Sequence, residues 1–294
     1  AKFSSRGQNR ALPDIVKPDV TAPGVGIMDA YSDGVEYNII QGTSMSSPHV
    51  AGAGALLMAL HPDWTAAEVQ SALMSTSVTT VVDNDGATQA DPFAMGAGRV
   101  DLAQAGLAGL LFDETTAAFE AADPADGGDP SSLNLPSMGQ DQCVGTCSWT
   151  RTVENAMAVA GNWTASTTAE AGMGLSVSPS SFSLDPGETQ EIVITADVTG
   201  SPEGEWLFGH VFLTESGGLA PDTHMPVAAA FSPGSLPASA DIVTRRNAGS
   251  QLATGLRAIA ITDLTTTVHG LVKGDVTEER LVSDPTNGNP YDGG

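Results

Sequence analysis

At 294 residues the chain exceeds one typical domain, so two or three domains with ample length for a core are expected. Its 35 acidic against 11 basic residues give a formal charge of -24, which argues against a nucleic-acid partner and against an anionic membrane surface. The longest uncharged apolar stretch, residues 50–60, falls well short of the roughly 20 residues that cross a bilayer, so no membrane span is expected.

In chain order, Asp19 to Thr21 reads as a short strand ending at the turn Ala22-Pro23-Gly24, and Glu36 to Gln41 as a second extended piece. It leads into GTSMSSPHVAGAGALLMAL at 42–60, where Gly42 and Thr43 supply a tight turn and Pro48 suits a first helical turn. The charge-free run from Val50 to Leu60 then predicts a buried helix, with Ser44 at its positive end and Gly52 to Ala55 allowing close packing on a sheet. Amides of a first turn lack helical partners and the helix dipole favours negative charge there. A hydroxyl so placed can attack a carbonyl while nearby N–H groups receive the oxyanion. The competing reading is that Ser44, Ser46 and Ser47 merely cap the helix, and local chemistry taken alone favours it. Thr65 followed by Glu68 is a capping box opening a helix from about Ala66 to Ser75, with Val69, Leu73 and Met74 on one face. Asp83-Asn84-Asp85-Gly86 begins like a calcium loop, but Ala87 holds the fifth place and no Glu the twelfth. A surface turn is the better reading, with one ligand to an irregular structural calcium site as the alternative. Strands alternating with helices argue for an α/β layer with a parallel sheet.

Residues 113–130 are acidic, small and broken by Pro and Gly, which reads as a linker or an extended bridging strand. Cys143 and Cys147 can be bridged if Gly145 turns the backbone, and no further Cys or His lies nearby for zinc, so a small-loop disulfide in an oxidising compartment is expected. From about Leu133 to Ser232 short strands alternate with period two: Ile192, Ile194, Ala196 and Val198 share a face, as do Leu207, Val211 and Leu213, and this argues for a β-sandwich. Beyond Pro233, extended patterns at Asp241 to Thr244, Arg257 to Ile261 and Val268 to Val272 look like the start of a further β domain.

GTSMSSPHVAG resembles the nucleophile motif of the subtilisin-like serine proteases, and Ser44 stands where that family places its nucleophile. FSSRGQN at 3–9, KPDVTAPGVGI at 17–27, HPDWTAAEVQSALMSTS at 61–77 and GAGRVDLAQA at 96–105 resemble the segments flanking that serine, in order. NLPSM, TRTVEN, LDPGETQEI, GHVFL and HMPVAA look like the fibronectin-like domain of the secreted branch. The resemblance implies the last part of a doubly wound α/β peptidase domain at 1–112. An acidic linker at 113–131, a fibronectin type III-like sandwich at 132–232 and a partial β domain at 233–294 would follow. It implies a secreted serine endopeptidase with a polypeptide substrate, no cofactor for the chemistry, and an acyl-enzyme on Ser44, whose own backbone N–H is one oxyanion donor. The family order of Asp, His and then Ser, with an oxyanion Asn between His and Ser, would place those partners before Ala1, in a missing N-terminal half of the same protease. None of the five histidines offers a replacement base, so the chain alone is expected to be inactive. The rival expectation is a non-catalytic fragment or pseudo-enzyme whose β domains bind a surface, a polysaccharide or a protein.

Overall fold

A computed structural model of the chain describes residues 1–32, 34, 36–235 and 255–259. Strands β1 (Ile27–Ala30) and β2 (Tyr37–Ile40) form an antiparallel hairpin, with Ile27 opposite Ile40. Helix α1 (Thr43–Leu60) follows, then α2 (Ala66–Ser75) and the single turns α3 (Pro92–Met95) and α4 (Leu102–Ala105). The capping box is formed: Thr65 Oγ1 accepts from the Glu68 amide at 3.1 Å, and the Glu68 carboxylate accepts from the Thr65 amide at 2.6 Å. Val69, Leu73 and Met74 are all buried, the first two against Ala53 and Leu57 of α1.

Three local expectations need correction. Asp19 to Thr21 is not a strand; Thr21 makes one isolated parallel bridge, to Arg99. Pro48 is not in the first turn, because α1 starts five residues earlier at Thr43; the missing proline N–H leaves the Ser44 carbonyl without its usual i+4 donor. Nor is α1 buried. Only Ala53 and Leu57 are covered, while Leu56, Met58 and Leu60 stay 54–62% exposed, because its neighbours among the described residues cover a single stripe.

The acidic stretch is also not an extended strand. It folds as α5 (Thr116–Ala121) and two 3-10 turns at Pro124–Asp126 and Pro130–Ser132, each begun by a Thr or Asp side chain accepting a first-turn amide. Just before it, β3 (Leu110–Leu111) leaves the first segment and pairs antiparallel with β5.

The sandwich is built from β4 (Met138–Cys143), β5 (Thr146–Asn155), β6 (Gly161–Ala169), β7 (Gly174–Ser178), β8 (Ser181–Leu184), β9 (Thr189–Asp197), β10 (Trp206–Glu215) and β11 (Thr223–Phe231). One sheet runs β4-β11-β10-β6-β8 and the other β3-β5-β9-β7; every pairing is antiparallel except β4 with β11. Ile192, Ile194, Ala196 and Val198 pack with Leu207, Val211 and Leu213 around Trp149, Val153 and Trp163, as the alternation demands. The Cys143–Cys147 disulfide spans 5.4 Å between Cα atoms, with Gly145 at φ +73° making the turn. It joins β4 of one sheet to β5 of the other at a corner of the sandwich.

The five-stranded sheet has no free outer face at β11: every residue from Thr223 to Ala230 is buried. Met225, Val227 and Ala229 point into the sandwich core. Alternation turns His224, Pro226, Ala228 and Ala230 the other way, under the first segment. Phe93 of α3 sets its ring edge-on to both Trp206 and Phe208, at 5.0 and 5.2 Å between centroids. At the sheet edge a Cβ on Gly139 would stand 2.6 Å from the Asp14 carbonyl oxygen, so only glycine permits that approach. The described part of 233–294 is a two-residue pairing of Gly234–Ser235 with Arg257–Ala258. The strands expected at Asp241 to Thr244 and Val268 to Val272 lie outside the described residues.

Candidate active site

The start of α1 is pinned from below by the turn Ala22-Pro23-Gly24. The Gly42 amide donates to the Gly24 carbonyl at 2.9 Å, and Ser46 Oγ donates to the Ala22 carbonyl at 2.9 Å. A Cβ on Gly24 would lie 2.3 Å from Ser46 Oγ and 2.8 Å from the Gly42 carbonyl oxygen, which is why the chain can approach only through glycine. Ser46 is therefore the serine that ties down the helix. Ser44, two residues earlier and in the first turn, is exposed, and the Gly42 N-cap makes no side-chain cap hydrogen bond. Ser4 and Ser5 line a cavity of about 250 Å³ beside this turn, together with Thr43, Ser46 and Ser47.

The described histidines are engaged elsewhere. His49 Nδ1 donates to the Met45 carbonyl of its own helix at 2.7 Å. His61 donates through Nε2 to the Gly106 carbonyl at 3.0 Å and stacks on Trp64 at 3.8 Å. His224 Nε2 sits 2.9 Å from the Ser77 carbonyl, and His210 lies beside it with ring centroids 6.1 Å apart. Among the described residues, none of them is hydrogen-bonded to Ser44; His269 lies outside them. What the described residues offer chemically at this turn is an exposed hydroxyl at a positive helix end.

The Asp83 turn satisfies itself. Asp83 pairs with Arg6, and Asp85 accepts from the amides of Ala87 and Thr88, both at 2.9 Å. The Thr88 hydroxyl and then those amides hold the Asp85 carboxyl down to about 2. Both carboxylates thus turn their oxygens to protein donors, and among the described residues no group of three or more His, Cys, Asp or Glu converges.

Two features of the seam escape a reading of the sequence. Burial pushes the Asp14 carboxyl up to about 6, even though Oδ1 accepts from the Asp141 amide at 2.9 Å. Burial, and then the neighbouring His224, pushes His210 down to about 4. The available signal was Trp206, Phe208, His210 and Phe212, an aromatic set in period two opposite the apolar set of β10, which marks a second covered face.

An exposed serine thus opens a helix on a segment docked to a two-sheet sandwich. Residues 1–98 match the profile of the Subtilase family, and residues 132–228 that of a Fibronectin type-III domain. The first segment is thus similar to the subtilase family over a third of the chain, and the sandwich to a fibronectin type-III domain. The chain is 35% identical over 254 residues to Subtilisin-like protease SBT1.7 of Arabidopsis thaliana, covering 72% of this chain and 33% of that protein. It is 32% identical over 266 residues to Subtilisin-like protease SBT2.5 of the same plant, covering 74% and 32%. To Subtilisin-like protease SBT1.6 it is 41% identical over 133 residues, covering 39% and 17%. The chain thus spans a third or less of the length of these relatives.

Proposed function

We propose that the chain is part of a secreted serine endopeptidase in which Ser44 attacks the scissile peptide carbonyl to form an acyl-enzyme. The observation that carries the reading is the separation of roles in GTSMSSPH: Ser46 is spent on the Ala22 carbonyl, while Ser44 stands free in the first turn of α1. As the tetrahedral oxyanion forms, the Ser44 backbone N–H, which has no helical partner in that turn, supplies one donor. Polypeptide outside this chain supplies the histidine base, the aspartate that orients it and the second oxyanion donor, since the relatives are about three times longer. The same polypeptide is the natural cover for the surface left open on α1 and the hairpin, where Leu56, Met58, Leu60, Met28, Tyr37 and Ile39 are each more than half exposed. The disulfide agrees with an oxidising, extracellular setting.

The test is labelling by a serine-directed fluorophosphonate. The full-length protein should label and Ser44→Ala should not, with kcat on peptide substrates falling by roughly the 10⁶-fold that loss of the nucleophile costs subtilisin. The 294-residue chain alone should stay unlabelled. Equal labelling of the variant removes Ser44 from the chemistry. A full-length protein that never labels would instead favour a non-catalytic chain whose β domains bind a partner.

A further inference from the structure

We propose that His210 and His224 form a pH-responsive latch that holds the Ser77 end of α2 on the sandwich at neutral pH and lets it go on acidification. The inference stands on the seam and does not depend on catalysis by Ser44.

The geometry assigns the protonation of His224. A carbonyl only accepts, so Nε2, 2.9 Å from the Ser77 oxygen, carries the proton and is the donor. The Ser77 hydroxyl is already committed to the Met74 carbonyl at 2.8 Å, so the whole exit of α2 is bound up in one short network. His224 Nδ1 is then a bare lone pair, and it is buried without a partner, as is His210 Nδ1. His224 is only 4% exposed. Its ring and those of His210 and Phe212 lie 6.0–6.1 Å apart, so a second proton on either imidazole would enter an aromatic cluster with nothing to accept it. Two protonated rings at that distance would also repel.

The charged groups around the pair do not offer relief. From the α2 exit comes the uncharged Ser77, through its carbonyl and hydroxyl oxygens. From the segment before α3 comes Asp91, whose Oδ1 caps the Ala94 amide at 2.8 Å. From the end of β6 comes Glu170, whose carboxylate accepts from the Phe208 amide at 3.0 Å. Burial lowers His224, and neither its hydrogen bond to the Ser77 carbonyl nor Asp222, leading into β11, offsets that. Burial likewise takes His210 down to about 4. A histidine lowered on folding contributes stability that is complete above its ordinary 6.5 and is lost as pH falls toward the folded value. The latch therefore weakens between about pH 6.5 and about pH 4. Asp14, elsewhere on the same seam, titrates with the opposite sign, so the His contribution must be read by difference.

Hydrogen exchange of the 294-residue chain, corrected for the intrinsic rate at each pH, reads the latch directly. Peptides covering Leu73 to Val78 and Thr223 to Ala230 should exchange roughly tenfold faster, or more, at about pH 4.5 than at about pH 7. In His210→Phe/His224→Gln, where the Gln amide can still donate to Ser77, most of that step should vanish; in Asp14→Asn it should persist. An unchanged step in the double variant, or no step in the parent, overturns the proposal. If the double variant does not fold, the ring protons of His210 in the parent decide: titration below about pH 5 supports the latch, and titration near the ordinary 6.5 overturns it.

Discussion

Asp14 shows at the scale of one residue what the seam costs. Its carboxylate is drawn into the joint by the Asp141 amide and by Gln140 Nε2 at 3.2 Å, but Asp141 and Asp129 stand close, and among the described residues no cation does. Its folded value near 6 lies above the ordinary carboxylate range, so the protonated form is the one the fold prefers. The stability linked to this group is complete below about pH 4 and lost as pH rises through about 6. Asp14→Asn keeps an Oδ1 acceptor and removes the charge. It should stabilise the chain at pH 7 by about 1 kcal/mol, a figure discounted because the group is partly exposed, and do little at about pH 4. Urea midpoints at the two pH values check this, and a loss at pH 7 would mean that the ionised form is held by a partner.

At the scale of the element, the disulfide is the corner of the sandwich. Its closed loop is short, so the chain-entropy estimate for Cys143→Ser/Cys147→Ser is a loss of only about 2 kcal/mol, visible as a lower thermal midpoint without loss of the sheet signal. A loss of the sandwich altogether would show that the corner organises folding rather than trimming the unfolded ensemble. Local rules made several elements legible in advance. Thr65 and Glu68 marked the start of α2 to the residue, and the alternation through Ile192, Ile194 and Ala196 named the inner face of β9. The motif around Ser44 found the turn, and the Cys143–Cys147 spacing found its bridge. What stayed hidden depends on partners distant in sequence. The two-residue strand β3 exists only because β5 pairs with it, and α1, apolar all round, gave no sign of which stripe would be covered. His210 and His224 read as ordinary β-domain histidines until α2 is laid over them.

For the whole molecule, the seam makes the first segment and the sandwich mutually dependent. Residues 1–112 taken alone lose the cover over the α2 exit and strand Leu110 to Phe112 outside their sheet, while Leu56, Met58 and Leu60 stay exposed as before. That segment should aggregate or bind a hydrophobic dye strongly; a cooperative, dye-free melt would contradict the dependence. The donated strand β3 also sets an order of events on the ribosome. Leu110 and Leu111 are synthesised about 40 residues before the end of β5 that receives them, a delay of a few seconds at ordinary elongation rates. Through that interval the nascent first segment carries an unpaired, fully apolar edge. The sandwich that follows is thus the earliest companion within the chain that can shelter it.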